Sequence, residues 1–324
     1  MRANPKVVFL HGLSQRTVDL ITSYAPDDFK VVVVDGKQSE QSQIEAVRDA
    51  DFLMVYRAQL SEPVLQAATQ LRLVQLLAAG YDRMNLKLMG TLGIPCAVNG
   101  GANAWAVADH TVLLILALYR RLVPADRAVR EGRWRAPIDG FNTFEMANKT
   151  VGILGMGHIG QKVVQRLQGF DVSIQYFDKY PLTPEKEREL GVKKVALEEL
   201  FRSSDIITCH APLTPETRHV VNQESLALMK PTAVLINTSR GSVVDETALA
   251  MALQEGRIAG AGLDVFETEP LESGNPLLAM DNVVLTAHNG GTTFDTWCRR
   301  AEFAYQNMQR VLEDRPPQAI AQNT

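Results

Sequence analysis

Residues 150–170 read TVGILGMGHIGQKVVQRLQGF. An apolar, β-branched run from Val151 to Leu154 meets Gly155, Gly157 and Gly160 in the spacing G-x-G-x-x-G, after which the pattern turns helical. At a strand-to-helix junction each glycine has a mechanical reason. The first makes the tight turn, the second lets backbone approach a pyrophosphate, and the third lets helix pack on strand. The helix N-terminus would then turn its unpaired amides toward phosphate. A second strand-like run, DVSIQYFD over 171–178, ends at Asp178. A carboxylate there would accept hydrogen bonds from an adenosine ribose and repel a 2′-phosphate, although Lys179 beside it offsets part of that repulsion. The stretch therefore predicts a Rossmann domain that takes NAD in preference to NADP.

Downstream, three further strand-like runs end in ionisable residues. AVLINTSRG leads to Arg240, IAGAGLDVFETEP to Glu269, and NVVLTAHNGG to His288. Ligands of open α/β sheets bind beyond the carboxyl ends of the strands, so one crevice would receive a guanidinium, a carboxylate and an imidazole. That set suits reduction of a 2-keto acid. A cation must hold the carboxylate and polarise the carbonyl, and a proton must arrive at oxygen while hydride arrives at carbon. Arg240 can clamp a carboxylate with two donors. Imidazole both donates and accepts near neutral pH, which fits His288, and a carboxylate such as Glu269 would orient its ring and favour its charged form. Structural ion pairs at strand ends would give the same three residue types without chemistry.

Upstream, short apolar runs at 7–10, 31–34, 52–55, 73–77 and 94–98 alternate with helical stretches, which predicts βα units on a second parallel sheet. ANAWAVADHTVLLILALYRR over 102–121 reads as one long buried helix joining the two series, and a domain boundary is expected near residue 101. A length of 324 residues exceeds what one core usually serves, which agrees with two domains. With 33 basic against 37 acidic residues, no nucleic-acid or anionic-membrane surface is expected; the expected partner is a small molecule. Cys96, Cys209 and Cys298 lie far apart and read as reduced core thiols, and neither HExxH nor paired CxxC spacing suggests a metal. No run approaches the length of a membrane span and the first residues do not read as a secretory leader, so the expected location is the cytoplasm.

On the glycine fingerprint together with HAPLTPETRHVVN (210–222), MKPTAVLINTSRGSVVDETAL (229–249) and GLDVFETEP (262–270), the chain resembles the D-isomer-specific 2-hydroxyacid dehydrogenase family over almost its whole length. The resemblance implies that Arg240 binds the substrate carboxylate and carbonyl, His288 is the acid/base, Glu269 is its partner, and Asp264 contacts the nicotinamide amide. It implies that His158 and Ile159 offer amides to the pyrophosphate, and that His210, Pro212, Thr217, Thr238, Ser239 and Gly290 line the cofactor cleft. LLAAGYDRMNL (76–86) resembles the family's glycine loop, in which Ala79, Gly80 and Tyr81 would grip the substrate carboxylate, with Asn99 nearby. The implied architecture is two doubly wound domains. Residues 1–101 with 290–324 would form a flavodoxin-like substrate domain, and residues 102–289 the NAD-binding Rossmann domain. A homodimer through the NAD domain is implied as well, with the aromatic segment around Trp105, Trp134 and Phe141 to Phe144 at its interface.

Tyr81, Gly100, Asp109 and Ala287 depart from the commoner family pattern, and Tyr81 with Arg57 would alter the pocket for the substrate side chain. Three alternatives stay open on the sequence: an NADPH-preferring glyoxylate or hydroxypyruvate reductase, a phosphoglycerate-type enzyme using Arg57 and Arg83, and a non-catalytic NAD-sensing, corepressor-like module. His11, His110 and His219 read first as structural or solvated side chains. His110 alone would lie near enough to the cleft to hydrogen-bond there.

Overall fold

The computed structural model describes residues 4–134 and 140–321. The chain divides into two compact units, one made of the residues through Asn103 together with those from Thr292 onward, the other of Ala104–Gly291. Among the described residues each unit holds one wholly parallel sheet.

In the first unit the strands are β1 (Lys6–His11), β2 (Lys30–Asp35), β3 (Phe52–Tyr56), β4 (Leu73–Leu76) and β5 (Cys96–Ala97), in the order β2-β1-β3-β4-β5. This is the flavodoxin-like order. Side chains alternate between faces along a strand, and a parallel sheet covered on both sides needs both faces apolar. In β1, Val7 and Phe9 enter one core while Val8 and Leu10 enter the other. The run expected over 94–98 shrinks to two residues at the sheet edge, where Pro95 has no N–H to donate to a ladder. The helix Phe294–Leu312 closes one face. Its Trp297, Ala301, Ala304, Tyr305 and Met308 pack with Phe9 and Phe52.

The second unit carries β6 (Thr150–Leu154), β7 (Ser173–Phe177), β8 (Val192–Lys194), β9 (Ile206–Cys209), β10 (Val234–Asn237), β11 (Gly260–Leu263) and β12 (Val283–Leu285). Their order is β12-β11-β10-β9-β6-β7-β8. Counted from β6 as the first strand, this is the 3-2-1-4-5-6 order of a dinucleotide-binding sheet with one more strand at its edge. Strands β8 and β9 escape the sequence reading. The first is short with two exposed lysines, and the second is four residues long, too short for periodicity to separate it from a loop.

The long helix runs over Ala104–Tyr119 and packs on the second sheet so closely that a side chain on Gly262 of β11 would come to 3.0 Å of Leu114. It stops short of the expected end because Arg121 adopts φ +49° and opens a separate helix, Leu122–Arg130. Of the irregular stretch expected over 131–148, residues 135–139 lie outside the described ones. No described helix is long and apolar enough to cross a membrane. Cys96 and Cys209 are buried free thiols, pushed up to about 12 by burial, whereas Cys298 is only partly buried.

Met308 is fully enclosed between its helix and the first sheet. Met308→Ala should cost about 2–5 kcal/mol of stability through lost contacts and a residual cavity. The midpoint of urea denaturation measures it, and an unchanged midpoint would contradict this account of the core.

Candidate active site

The fingerprint glycines fall into two kinds. A Cβ on Gly155, which has φ +97°, would stand 2.5 Å from the backbone nitrogen of Ala211, and one on Gly160 would stand 2.2 Å from the carbonyl oxygen of Gly155. These two are demanded by protein packing. A Cβ on Gly157 would meet nothing within 4 Å, so its bareness leaves space above the turn instead. Gly157 opens the helix His158–Leu167, and no side chain caps it, so the first amides of that helix face the same space. Beside it, Asp178 at the end of β7 accepts from the amide of Met156 at 2.6 Å through Oδ2, and from that of Tyr180 at 2.7 Å through Oδ1. The carboxylate is thereby held against the glycine turn. Bare backbone, an uncapped helix start and a pinned acid together fit a dinucleotide.

Beyond β9 the amide of His210 bonds to Leu154 at 2.7 Å, which brings this exit alongside the glycine turn. Burial pushes the His210 pKa down to about 3, so its ring is neutral. Its Nδ1 lies 3.4 Å from Thr238 Oγ1, while Nε2 is buried with no partner among the described residues. Thr217 Oγ1 donates to the carbonyl of Pro212 at 2.6 Å and accepts from the amide of Thr214 at 2.8 Å, which locks the 212–217 turn.

Arg240 sits three residues past β10. The turn that carries it is built by buried Asn237, whose Oδ1 accepts from the amide and hydroxyl of Ser239, and whose Nδ2 donates to the carbonyl of Arg240 at 2.9 Å. The next residue is a glycine for a tertiary reason. A Cβ on Gly241 would lie 1.9 Å from the carbonyl carbon of Phe266. The loop that follows β11 and carries Glu269 therefore passes directly against the turn that carries Arg240. Glu269 Oε2 meets His288 Nδ1 at 2.8 Å, with the two side chains 27% and 45% exposed. His288 has φ +50°, a left-handed conformation that a non-glycine residue keeps only when its surroundings enforce it.

Those surroundings centre on Asp264, which is 3% exposed. Its carbonyl accepts from the amide of His288 at 2.7 Å, Oδ1 from the amide of Asn289 at 3.0 Å and the hydroxyl of Thr286 at 2.6 Å, and Oδ2 from the amide of Gly290 at 2.9 Å. His110 Nε2 lies 2.9 Å from Thr286 Oγ1 and 3.5 Å from Asp264 Oδ1. Burial by itself would raise this carboxyl's pKa, but the hydrogen bonds from His110, Thr286 and the two amides outweigh it and hold it below the ordinary value.

Of the residues expected at the site, all but Ala79, Gly80 and Tyr81 belong to the second unit. Those three follow β4 in the first unit, on a partly buried loop whose neighbour Ala78 accepts from the amide of buried Asn99 at 3.1 Å. Tyr81 packs in part against the first unit's core. His11 is buried at the end of β1 and accepts from the amide of Leu13, and His219 stands beside Glu267. Sequence reasoning passed over Asn237, Gly241 and Thr286. Asn237 and Thr286 lie inside quoted strand-like runs, and a polar residue in such a run was the available signal. Among the described residues no cluster of His, Cys, Asp and Glu could hold a metal ion.

Residues 112–290 match the family model described as D-isomer specific 2-hydroxyacid dehydrogenase, NAD binding domain. A glyoxylate reductase of Korarchaeum cryptofilum is 40% identical over 320 residues, spanning 93% of this chain and 92% of that relative. Among solved structures, a Thermus thermophilus protein superposes with a TM-score of 0.84 at 33% identity, covering 98% of this chain and all of its own. An NADPH-dependent glyoxylate/hydroxypyruvate reductase of Sinorhizobium meliloti, solved with NADP and malonate, has a TM-score of 0.83 at 29% identity, covering 98% and 97% of the two chains.

Because the Asp264 pKa is depressed on folding, its contribution to stability is complete above the unfolded-state value of 3.8 and is lost as pH falls through the lower folded value. Asp264→Asn should therefore lower stability at neutral pH and flatten acid unfolding below about pH 4, as followed by circular dichroism. An acid transition identical to that of the unmodified chain would show that the carboxylate is not held ionised.

Proposed function

This chain belongs to the D-isomer specific 2-hydroxyacid dehydrogenase family, and on that premise we propose that it reduces a small, unphosphorylated 2-keto acid, glyoxylate and its near analogues first, using NADH. The reading rests on one observation above the others: the contact between His288 Nδ1 and Glu269 Oε2, beyond the same carboxyl ends of the parallel strands as the glycine turn. With Nδ1 held by the carboxylate, Nε2 is the ring nitrogen assigned to the substrate. NADH supplies the hydride to the keto carbon. His288 delivers a proton from Nε2 to the carbonyl oxygen, and Glu269 keeps the ring turned and balances its charge. Arg240 holds the substrate carboxylate and polarises the carbonyl, which favours the charge that develops on oxygen. In the reverse direction Nε2 accepts the hydroxyl proton. His158, Ile159, His210, Pro212, Thr217, Thr238 and Ser239 would line the cofactor, and Asp178 would receive its ribose hydroxyls.

The second unit also presents Leu113, Leu122, Val123, Val129, Trp134 and Phe141 as exposed large apolar side chains, Trp134 and Phe141 at 79% and 90%. So much apolar surface on one unit supports a homodimer through it. Free rather than bridged cysteines suit a cytoplasmic enzyme. Sedimentation should return twice the chain mass of 35.8 kDa; a monomer would remove the dimer from this reading.

His288→Ala should lower kcat by at least ~100-fold, the usual scale for a lost general acid, while NADH still binds. Turnover close to that of the unmodified chain would end the assignment, and NADH affinity without oxidation by any 2-keto acid would point to a binding module. Asp178→Ala should weaken NADH by about tenfold, the scale of hydrogen bonds to one charged group, and narrow its advantage over NADPH. Equal use of both nucleotides before the substitution would favour the NADPH-using alternative.

A further inference from the structure

Three consecutive amides, those of His288, Asn289 and Gly290, all end on the single residue Asp264. Asp264 in turn depends on donors from outside that turn. Thr286 gives its only hydroxyl hydrogen to Asp264 Oδ1 at 2.6 Å, so the Thr286 oxygen faces His110 as an acceptor, and Nε2 of His110 carries the proton that meets it at 2.9 Å. The same Nε2 is 3.5 Å from Asp264 Oδ1. His110 also fills the space against the turn. A Cβ on Gly290 would lie 3.0 Å from His110 Cδ2 and 2.9 Å from Asp264 Oδ2.

We propose that His110 is a positioning residue for the reaction: its Nε2–H completes the hydrogen-bond shell of Asp264 through Thr286, and the ring props the 288–290 turn in the left-handed form that presents His288. The proposal rests on His288 being the proton donor. The physical reason lies in burial. A carboxylate this enclosed needs its acceptors filled, and if one donor is withdrawn it recruits another or gives up its charge. Either response loosens the amides it holds, that of Gly290 on the carboxylate and with it the turn that carries His288. Packing alone would not be enough, because an apolar ring-sized group fills the space against Gly290 without serving the carboxylate.

His110→Leu keeps bulk and removes the donor, whereas His110→Gln keeps an N–H at comparable reach. Three quantities should be read in the full-length protein: amide hydrogen exchange over residues 286–291, the NADH dissociation constant, and kcat with glyoxylate. His110→Leu should speed exchange at 288–290 by about tenfold or more, lower kcat by roughly 10- to 100-fold, and leave NADH affinity within about twofold; His110→Gln should restore most of both losses. Equal behaviour of the two variants would reduce His110 to a space-filler and overturn the proposal. Unchanged exchange with reduced kcat would overturn it as well, leaving the role of His288 standing. Faster exchange with unchanged kcat would overturn the proposal too, because the hold on the turn would then not matter to turnover, while the role of His288 is decided separately by His288→Ala. Should His110→Leu fail to fold, Thr286→Val removes the middle link and makes the same predictions.

Discussion

An ionised carboxylate cannot sit in a protein interior without donors around it, and the candidate site is organised by that requirement at Asp264. At 3% exposure its two oxygens collect two backbone amides and a threonine hydroxyl, with His110 Nε2 adjacent. The need to satisfy the charge becomes a constraint on chain direction. The path of residues 286–290 that delivers those donors places His288 at φ +50°. At the position after Asn289 a Cβ would come to 2.9 Å of that carboxylate and 3.0 Å of the imidazole, so any residue but glycine would push on both.

Close backbone approach does the same work elsewhere in the second unit. Gly155 and Gly160 let the exit of β9 and the first helical turn crowd the end of β6, and Gly241 lets the segment at Phe266 lie on the turn of Arg240. Beyond every strand that contributes to the site, the backbone leaves the sheet within a few residues. Arg240 follows Asn237 by three, His288 follows Leu285 by three, and Glu269 follows Leu263 by six. Inside the sheet, ladder bonds would hold these residues extended. Outside it they take conformations such as the left-handed one of His288 and turn toward a common edge.

What was legible in the sequence follows from this division. The two parallel sheets could be read because short apolar runs alternate with helical stretches, and the Rossmann fingerprint could be read because its glycines keep a recognisable spacing at a strand-to-helix junction, although the exclusion of a Cβ at Gly155 comes from Ala211. The pairing of Glu269 with His288 was readable from chemistry, since few reactions want an acid, an imidazole and a guanidinium at adjacent strand ends. Gly241 was not, because the backbone that excludes its Cβ arrives from residue 266. Nor was the link from His110 to Thr286, whose partners are 176 residues apart and share no local pattern. Within a helix as apolar as Ala104–Tyr119, one histidine reads as structural until its acceptor is seen.

Two carboxylates within one neighbourhood end with different duties because their surroundings differ. Asp264 is enclosed and accepts from two amides and a hydroxyl, its pKa held low, so it fixes backbone. Glu269 stands partly in the open, and its Oε2 faces a single imidazole nitrogen at 2.8 Å. In the proposed reaction it is the acid that orients the ring of His288. One acid thus fixes the backbone of His288 and another its side chain, which separates placement from charge.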